Sequence, residues 1–241
     1  MATQAESATI PIDIMKHIFP ATAAAAAFLI TSCSDDAGTD TANGETIALF
    51  NGENLDGWSH VCVEDLPIED IWSVEDGVIV CVGEPLGYLH TDESYQDFML
   101  TFEWRWAPGG EPGNSGVLMR IASEPETFMP KCVEAQLKHG SAGDIWAFYG
   151  ASVEGDPERM VEIEDHEALG DFKGVSLIED AEKPPGEWNR YEITLQGDTL
   201  VLKVNGQLVN EAHGLDVLSG PIGLQSEGGE IHFRDIELTP L

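Results

Sequence analysis

Three glycine-containing dipeptides fall between short apolar runs, and they restrict the fold of this chain more than any other feature. Asp76-Gly77 separates Ile71-Trp72-Ser73-Val74 from Val78-Ile79-Val80. Asn205-Gly206 separates residues 200–204 from Gln207-Leu208-Val209, and Gly228-Gly229 separates residues 222–225 from 231–236. Tight turns between twisted strands need positive φ, which Gly, Asn and Asp tolerate, so each pair predicts a β-hairpin. Further alternating runs at 98–106, 116–121, 133–137 and 191–195 predict more strands. No long amphipathic helical pattern accompanies them, so the chain is expected to be all-β: a β-sandwich or jelly roll of two antiparallel sheets. The segment 151–185 stands apart. It is rich in Glu, Asp, Gly and Pro and is expected to form a long loop over one face.

Two segments precede the β region. Met15-Lys16-His17-Ile18-Phe19 begins a positively charged start, with Met15 as an alternative initiation site. The apolar run 21–30 that follows is too short to span a bilayer and has the length of the apolar centre of a secretion signal. It ends in Ile30-Thr31-Ser32-Cys33, which resembles a bacterial lipobox whose cysteine is lipidated. Residues 1–33 are therefore expected to be a lipoprotein signal peptide with Cys33 as the lipidation site. Ser34-Asp35-Asp36 resembles the acidic stretch that sends some bacterial lipoproteins to the outer cell surface. Residues 34–46 lack large apolar side chains and read as a flexible tether to one domain at 47–241. The expected location is the cell envelope, periplasmic or at the outer-membrane surface, with membrane contact only through the lipid anchor.

The sequence holds 44 Asp and Glu against 11 Lys and Arg, a formal charge of −33. Without residues 1–33, which contain Glu6, Asp13 and Lys16, 42 acidic and 10 basic side chains remain, a formal −32, so the acidity belongs to the domain. Nucleic acid is excluded as a partner, because phosphate binding depends on Lys and Arg, and polyanionic glycans are disfavoured. Neutral sugars and divalent cations are compatible. Of the domain's Cys62, Cys81 and Cys132, the first two are the expected pair in an oxidising compartment. No Cys-x-x-Cys motif points to structural zinc, and no Gly-x-Ser-x-Gly, phosphate loop or dinucleotide fingerprint occurs. The acidic loops could hold calcium, but no Asp-x-Asp-x-Asp-Gly loop places it, so no cofactor is assigned. The sequence carries no signal for oligomeric state.

Period-two spacing assigns faces. Phe102, Trp104 and Trp106 share one side of their strand, with Glu103 and Arg105 on the other. Glu134 and Gln136 share a face, as do Leu118 and Arg120. Brought together on one sheet, these polar faces would make a concave surface of carboxylate, amide and guanidinium groups, suited to the vicinal hydroxyls of a neutral sugar.

Several landmarks fall in a fixed order: Leu49-Phe50-Asn51-Gly52, Trp72-Ser73-Val74-Glu75-Asp76-Gly77, Asn114-Ser115-Gly116-Val117-Leu118-Met119-Arg120, Glu134-Ala135-Gln136, Gly186-Glu187-Trp188-Asn189, Gly220-Pro221-Ile222-Gly223-Leu224-Gln225 and Phe233-Arg234-Asp235-Ile236. Together, from about residue 47 to 238, they resemble the 3-keto-disaccharide hydrolase family. The resemblance implies a concanavalin A-like jelly roll and a carbohydrate substrate whose glucose unit carries a ketone at C3. It departs from the common pattern at Asp235, where Asn is frequent, and in the acidic insert. A C3 ketone acidifies the C2 proton, so a base can remove it, the C1 substituent can leave, and water can add back. On this reading Glu134 is the base, Arg105 or Arg120 the clamp for an enolate or hydroxyl, and Asn114, Gln136 and Gln225 are sugar ligands. His139 and Asp144 are second candidates for base, acid or metal ligand, and Trp146 and Tyr149 candidates for a stacking platform. A glycosidase with paired carboxylates on a strand is not supported, because the only spacing match, Glu154-Gly155-Asp156-Pro157-Glu158, reads as a turn. The alternative is a non-catalytic cell-surface carbohydrate-binding module on the same fold, with Glu134 as a ligand.

Overall fold

The computed structural model describes residues 44–125 and 127–241, so the expected signal peptide, Cys33 and most of the tether lie outside the described residues. The strands in chain order begin with β1 (Ile47–Ala48), β2 (Trp58–Cys62), β3 (Trp72–Glu75), β4 (Val78–Cys81), β5 (Gly87–Thr91) and β6 (Phe98–Trp106). They continue with β7 (Gly116–Met119), β8 (Cys132–Gln136), β9 (Ile145–Phe148), β10 (Met160–His166) and β11 (Gly170–Val175). The last are β12 (Asn189–Gln196), β13 (Thr199–Val204), β14 (Gln207–Ala212), β15 (Gly223–Ser226) and β16 (Ile231–Pro240). They form two antiparallel sheets. The first runs β14-β13-β12-β6-β16-β4-β3, with β1 also on β16, and the second β10-β11-β9-β8-β7-β15-β5-β2. This is the expected sandwich of jelly-roll type.

Two of the three glycine turns form hairpins. Asp76 and Gly77 have φ of 50° and 79°, and Asn205 and Gly206 have 53° and 80°, the paired left-handed geometry that β3–β4 and β13–β14 require. Gly228-Gly229 does something else: it carries the chain from β15 in the second sheet to β16 in the first. Gly83 lies on the crossing from β4 to β5, and Gly113 on the crossing from β6 to β7. The three crossings meet backbone to backbone: the Gly228 N–H donates to Gly83 O at 2.6 Å and the Asn114 N–H to Gly228 O at 2.9 Å. A Cβ on Gly113 would overlap Gly228 O, and one on Gly83 would overlap Gly229 O. No larger residue permits this approach.

Between the sheets, Phe98, Leu100, Phe102, Trp104 and Trp106 of β6 pack with Val117, Met119, Val133, Ala135 and Ile145 of the second sheet. Each such buried side chain is worth about 1.5–3 kcal/mol. The second sheet is apolar on its outer face as well. Tyr88, Leu118, Cys132, Trp146 and Phe148 form a separate cluster there with Phe128, Met129 and Leu169. Part of its cover comes from the acidic segment 151–185, which is not a long loop: β10 and β11 form a hairpin that extends the second sheet at β9. Val161, Ile163 and Phe172 lean on the outer cluster while Glu162 and Glu164 face solvent, so a period-two strand lay under the acidic composition.

Two further expectations are corrected. Cys62 and Cys81 stand in different sheets and are free, as is Cys132. Arg120 does not continue the face of Leu118. Its φ of 53° ends β7 in a left-handed residue that turns the side chain out of alternation. The guanidinium, 3% exposed, donates to Asp216 O and Gly197 O at 2.6 Å each, to Gln96 O at 3.2 Å and to Asp97 Oδ1 at 3.3 Å. It ties the start of β6 and the β12–β13 turn of the first sheet to the end of β7. Arg120→Lys cannot reproduce this fork and is expected to lower unfolding stability by about 3 kcal/mol, read as a reduced urea midpoint, whereas a stability unchanged from the parent would refute the clamp.

Candidate active site

Register assembles the site on the outer face of the second sheet. Glu134 lies opposite Leu118 on one side and Trp146 on the other, and Gly116 lies opposite Gln136. Leu224 pairs with Val117, which sets Gln225 beside Gly116. Gly116 provides the space: a Cβ there would overlap Oε1 of Glu134 and come within 2.7 Å of its Cγ. The Glu134 carboxyl therefore lies across β7 over this glycine.

Glu134 is 1% exposed, and its Oε1 has no hydrogen-bond partner. Burial pushes its pKa well above the usual carboxylate range, and the negative charges of Glu227 and Asp144 push the same way. Glu227, at the end of β15 before the glycine crossing, is raised to about 7 by burial against the opposing charge of Lys138. Asp144, just before β9, is raised to about 6 by burial, although it accepts the Leu177 N–H at 2.7 Å and feels Lys138. The charges of Glu227 and Asp144 thus oppose ionisation of Glu134. The shift moves Glu134 towards its protonated form, which favours a donor's part over that of the base expected from the sequence. Glu227 is the carboxyl poised near neutrality.

Among the amides, Gln225 is 1% exposed with its Oε1 unpartnered, as is Oδ1 of half-buried Asn114, while the side chains of both hold the Glu227 pKa down as hydrogen-bond partners. Gln136 differs: its Oε1 accepts the Leu137 and Lys138 N–H groups at 2.9 Å each, so it shapes the end of β8. Trp146 is buried beside Glu134, with its ring edge-on to Phe172 at 5.4 Å, and forms a covered wall rather than an open platform. Tyr149 is half-buried at the rim of the outer cluster, its hydroxyl 3.1 Å from Thr127 Oγ1. His139 is exposed, with Nδ1 3.0 Å from Glu182.

The two expected arginine clamps are elsewhere. Arg120 is held in the loops described above. Arg105 projects from the outer face of the first sheet, donates from Nε to His232 Nδ1 at 3.2 Å and stacks 4.4 Å from the Trp188 ring. The positive charge that acts on Glu227 and Asp144 is Lys138. Sequence reasoning missed both Lys138 and Glu227, yet period two reaches them, from Glu134 and Gln136 to Lys138 and from Gln225 to Glu227. Among the described residues no group of three or more His, Cys, Asp or Glu side chains is arranged to hold a metal ion, so the calcium expected as compatible gains no site.

This geometry can be set beside known proteins. A 3-keto-disaccharide hydrolase of Bacteroides thetaiotaomicron is 20% identical over 238 residues, covering 81% of this chain and 78% of the relative. A solved Parabacteroides distasonis protein, provisionally classed as a glycosyl hydrolase, superposes with a TM-score of 0.57 at 22% identity, over 83% of this chain and 95% of that one. A carbohydrate-binding module of Bacillus subtilis gives a TM-score of 0.53 at 14% identity, over 75% and 94%. At these identities the structural likeness speaks to the fold, which enzymes and binding modules share. The sequence match is more specific: residues 45–239, the whole sandwich with its Glu134, Gln225 and Glu227 face, match the 3-keto-alpha-glucoside-1,2-lyase-like domain, and the chain belongs to that family.

Proposed function

We propose that this protein cleaves glycosides of 3-keto-glucose by eliminating the C1 substituent and then hydrating the product. The observation that carries this reading is the meeting of carboxyls of raised pKa with three unpartnered buried acceptor atoms: Asn114 Oδ1, Glu134 Oε1 and Gln225 Oε1. A buried polar atom left unpaired costs about 1–3 kcal/mol, and sugar hydroxyls offer both donors and acceptors to these atoms. The environments separate the roles. Glu227, near its midpoint, removes the C2 proton, and the positive charge of Lys138 stabilises the enolate oxygen that forms at C3. Glu134, protonated at rest, gives its proton to the departing glycosidic oxygen. Ionised Glu134 then takes a proton from water as the hydroxide adds to C1, and Glu227, whose proton exchanges with solvent while the intermediate is bound, protonates C2. One water is consumed, both carboxyls recover their starting states, and no oxidant is needed.

Family membership supports this reading over a binding module, as does the burial that raises the Glu134 pKa: holding a hydroxyl does not require a carboxyl so shifted. Export as a lipoprotein anchored through Cys33 belongs to the same proposal and would bring the domain to sugars in the cell envelope.

Glu134→Gln is expected to lower turnover of 3-keto-disaccharides by about 10²–10⁴-fold, followed by NMR in deuterated water as release of 3-keto-glucose with deuterium at C2. Gly116→Ala should reproduce that loss at a stability cost of about 1–3 kcal/mol, because the atoms nearest to the new Cβ are those of the Glu134 side chain. Affinity for unoxidised sugars that falls in Glu134→Gln, with no release from keto-sugars by the parent protein, would establish the binding module instead.

The pH dependence has opposite signs for turnover and stability. Glu227 must be ionised to act, so kcat/KM should rise with pH towards about 7 and fall at higher pH as Glu134 loses its proton. Glu227 and Asp144 bind protons more tightly folded than unfolded. Their contribution to stability is therefore complete below about 4, where the unfolded groups (3.8 and 4.5) titrate, and is lost as pH rises through 6 and 7. The melting temperature should fall from pH 4 to pH 8, and Glu227→Gln should flatten that fall. A variant with the parent's slope would mean that Glu227 is not held protonated by the fold.

A further inference from the structure

The segment 151–185 contributes one more ionisable group beside the site, and the elimination reading leaves it unused. The Glu182 side chain is only 2% exposed. Its Oε1 accepts Trp106 Nε1–H at 3.2 Å and lies 3.0 Å from His139 Nδ1, while its Oε2 accepts the Gly140 N–H at 2.9 Å. Indole and backbone N–H groups can only donate, and a carboxylate that answers them can only accept. The bond to His139 therefore requires the proton on Nδ1, which leaves Nε2 of neutral His139 as the free acceptor. The imidazole itself is 42% exposed. A buried carboxylate that fixes the tautomer of an exposed histidine resembles the orienting arrangement used to present an imidazole nitrogen for proton transfer.

Position connects this pair to the carboxyl group. His139 follows Lys138, whose charge acts on both Asp144 and Glu227. Its N–H donates to Gly113 O at 3.1 Å, and the next residue, Asn114, donates to Gly228 O beside Glu227. These backbone bonds set His139, held by a residue from the insert, next to the segment that carries the unpartnered Asn114 Oδ1.

We propose that Glu182 is a positioning residue that engages His139 through Nδ1 and leaves Nε2 free, so that His139 exchanges protons between bulk water and the carboxyls of the site during turnover. One proton enters Nε2 and one leaves it in each relay, so the step is redox-neutral. The inference rests on the elimination reading for the reaction it serves, while its structural half can be read without any substrate.

The test combines two readouts on the full domain. In ¹⁵N-histidine-labelled protein, His139 should show the Nδ1–H tautomer, and Glu182→Gln should shift it towards a mixture; an Nε2–H tautomer in the parent protein overturns the proposal. His139→Ala, at an exposed position, should fold normally and lower kcat for a 3-keto-disaccharide by at least about tenfold with KM little changed. Added imidazole should restore part of the loss, which a merely structural role would not produce. Parent-like turnover in His139→Ala, or a loss that imidazole does not relieve, overturns the relay and leaves the elimination reading intact. A parent protein inactive on every 3-keto-disaccharide fails earlier and overturns both, so the two failures are distinguishable.

Discussion

The sandwich depends on one backbone contact. Among the chain crossings that join its two sheets, those after β4, β6 and β15 meet at Gly83, Gly113 and the Gly228-Gly229 pair. Side chains at Gly83, Gly113 or Gly229 would overlap the facing backbone, and the hydrogen bonds between the crossings would be lost. The same contact serves the site, because Asn114 follows one of these glycines and Glu227 precedes another. The segments that close the fold therefore also set an unpartnered amide oxygen and a carboxyl beside Gln225.

Burial of the second sheet on both faces supplies the chemistry. A jelly-roll sheet with one wetted face would leave Glu134 in water, as an ordinary ionised carboxylate. Here Tyr88, Leu118, Trp146 and Phe148 line that face, and the loop residues Phe128 and Met129 join the β10–β11 hairpin in covering it. With water removed, a carboxyl loses the solvation that stabilises its charge, and two neighbouring acids add repulsion. The environment thus separates residues of like chemistry: it raises Glu134 well above the usual carboxylate range and brings Glu227 to about 7. Gly116 makes the arrangement possible in the middle of a β-strand, by leaving the volume that the Glu134 carboxyl occupies.

Much of this could be read along the chain, and the exceptions have physical causes. The hairpins at Asp76-Gly77 and Asn205-Gly206 were legible because a two-residue turn needs positive φ at both positions, a local requirement. The Gly228-Gly229 turn carries the same local signal but joins different sheets, a choice made by what the flanking strands pair with. Alternation placed Glu134 with Gln136 and separated Arg105 from Trp104 and Trp106, but it could not tell which sheet each polar face would join. It failed at Arg120, where a left-handed residue breaks the period. It would have found Glu227 and Lys138 had it been carried two residues past each strand. The β10–β11 hairpin was hidden because exposed strand positions filled with Glu look, by composition, like a loop.

The sequence by itself determined the strand periodicity, the tight turns, the acidic surface and the ordered motifs of the family, since each depends on neighbours along the chain and on the covalent limits of φ and ψ. The tertiary structure decided which polar residues meet. It brought Glu134, Glu227, Asp144, Lys138 and Gln225 together from separate segments, sent Arg105 and Arg120 elsewhere, and left Cys62 and Cys81 unpaired in different sheets. It also decided their protonation, because a pKa follows from the water removed and the charges brought near, and both come into being only when distant strands pack.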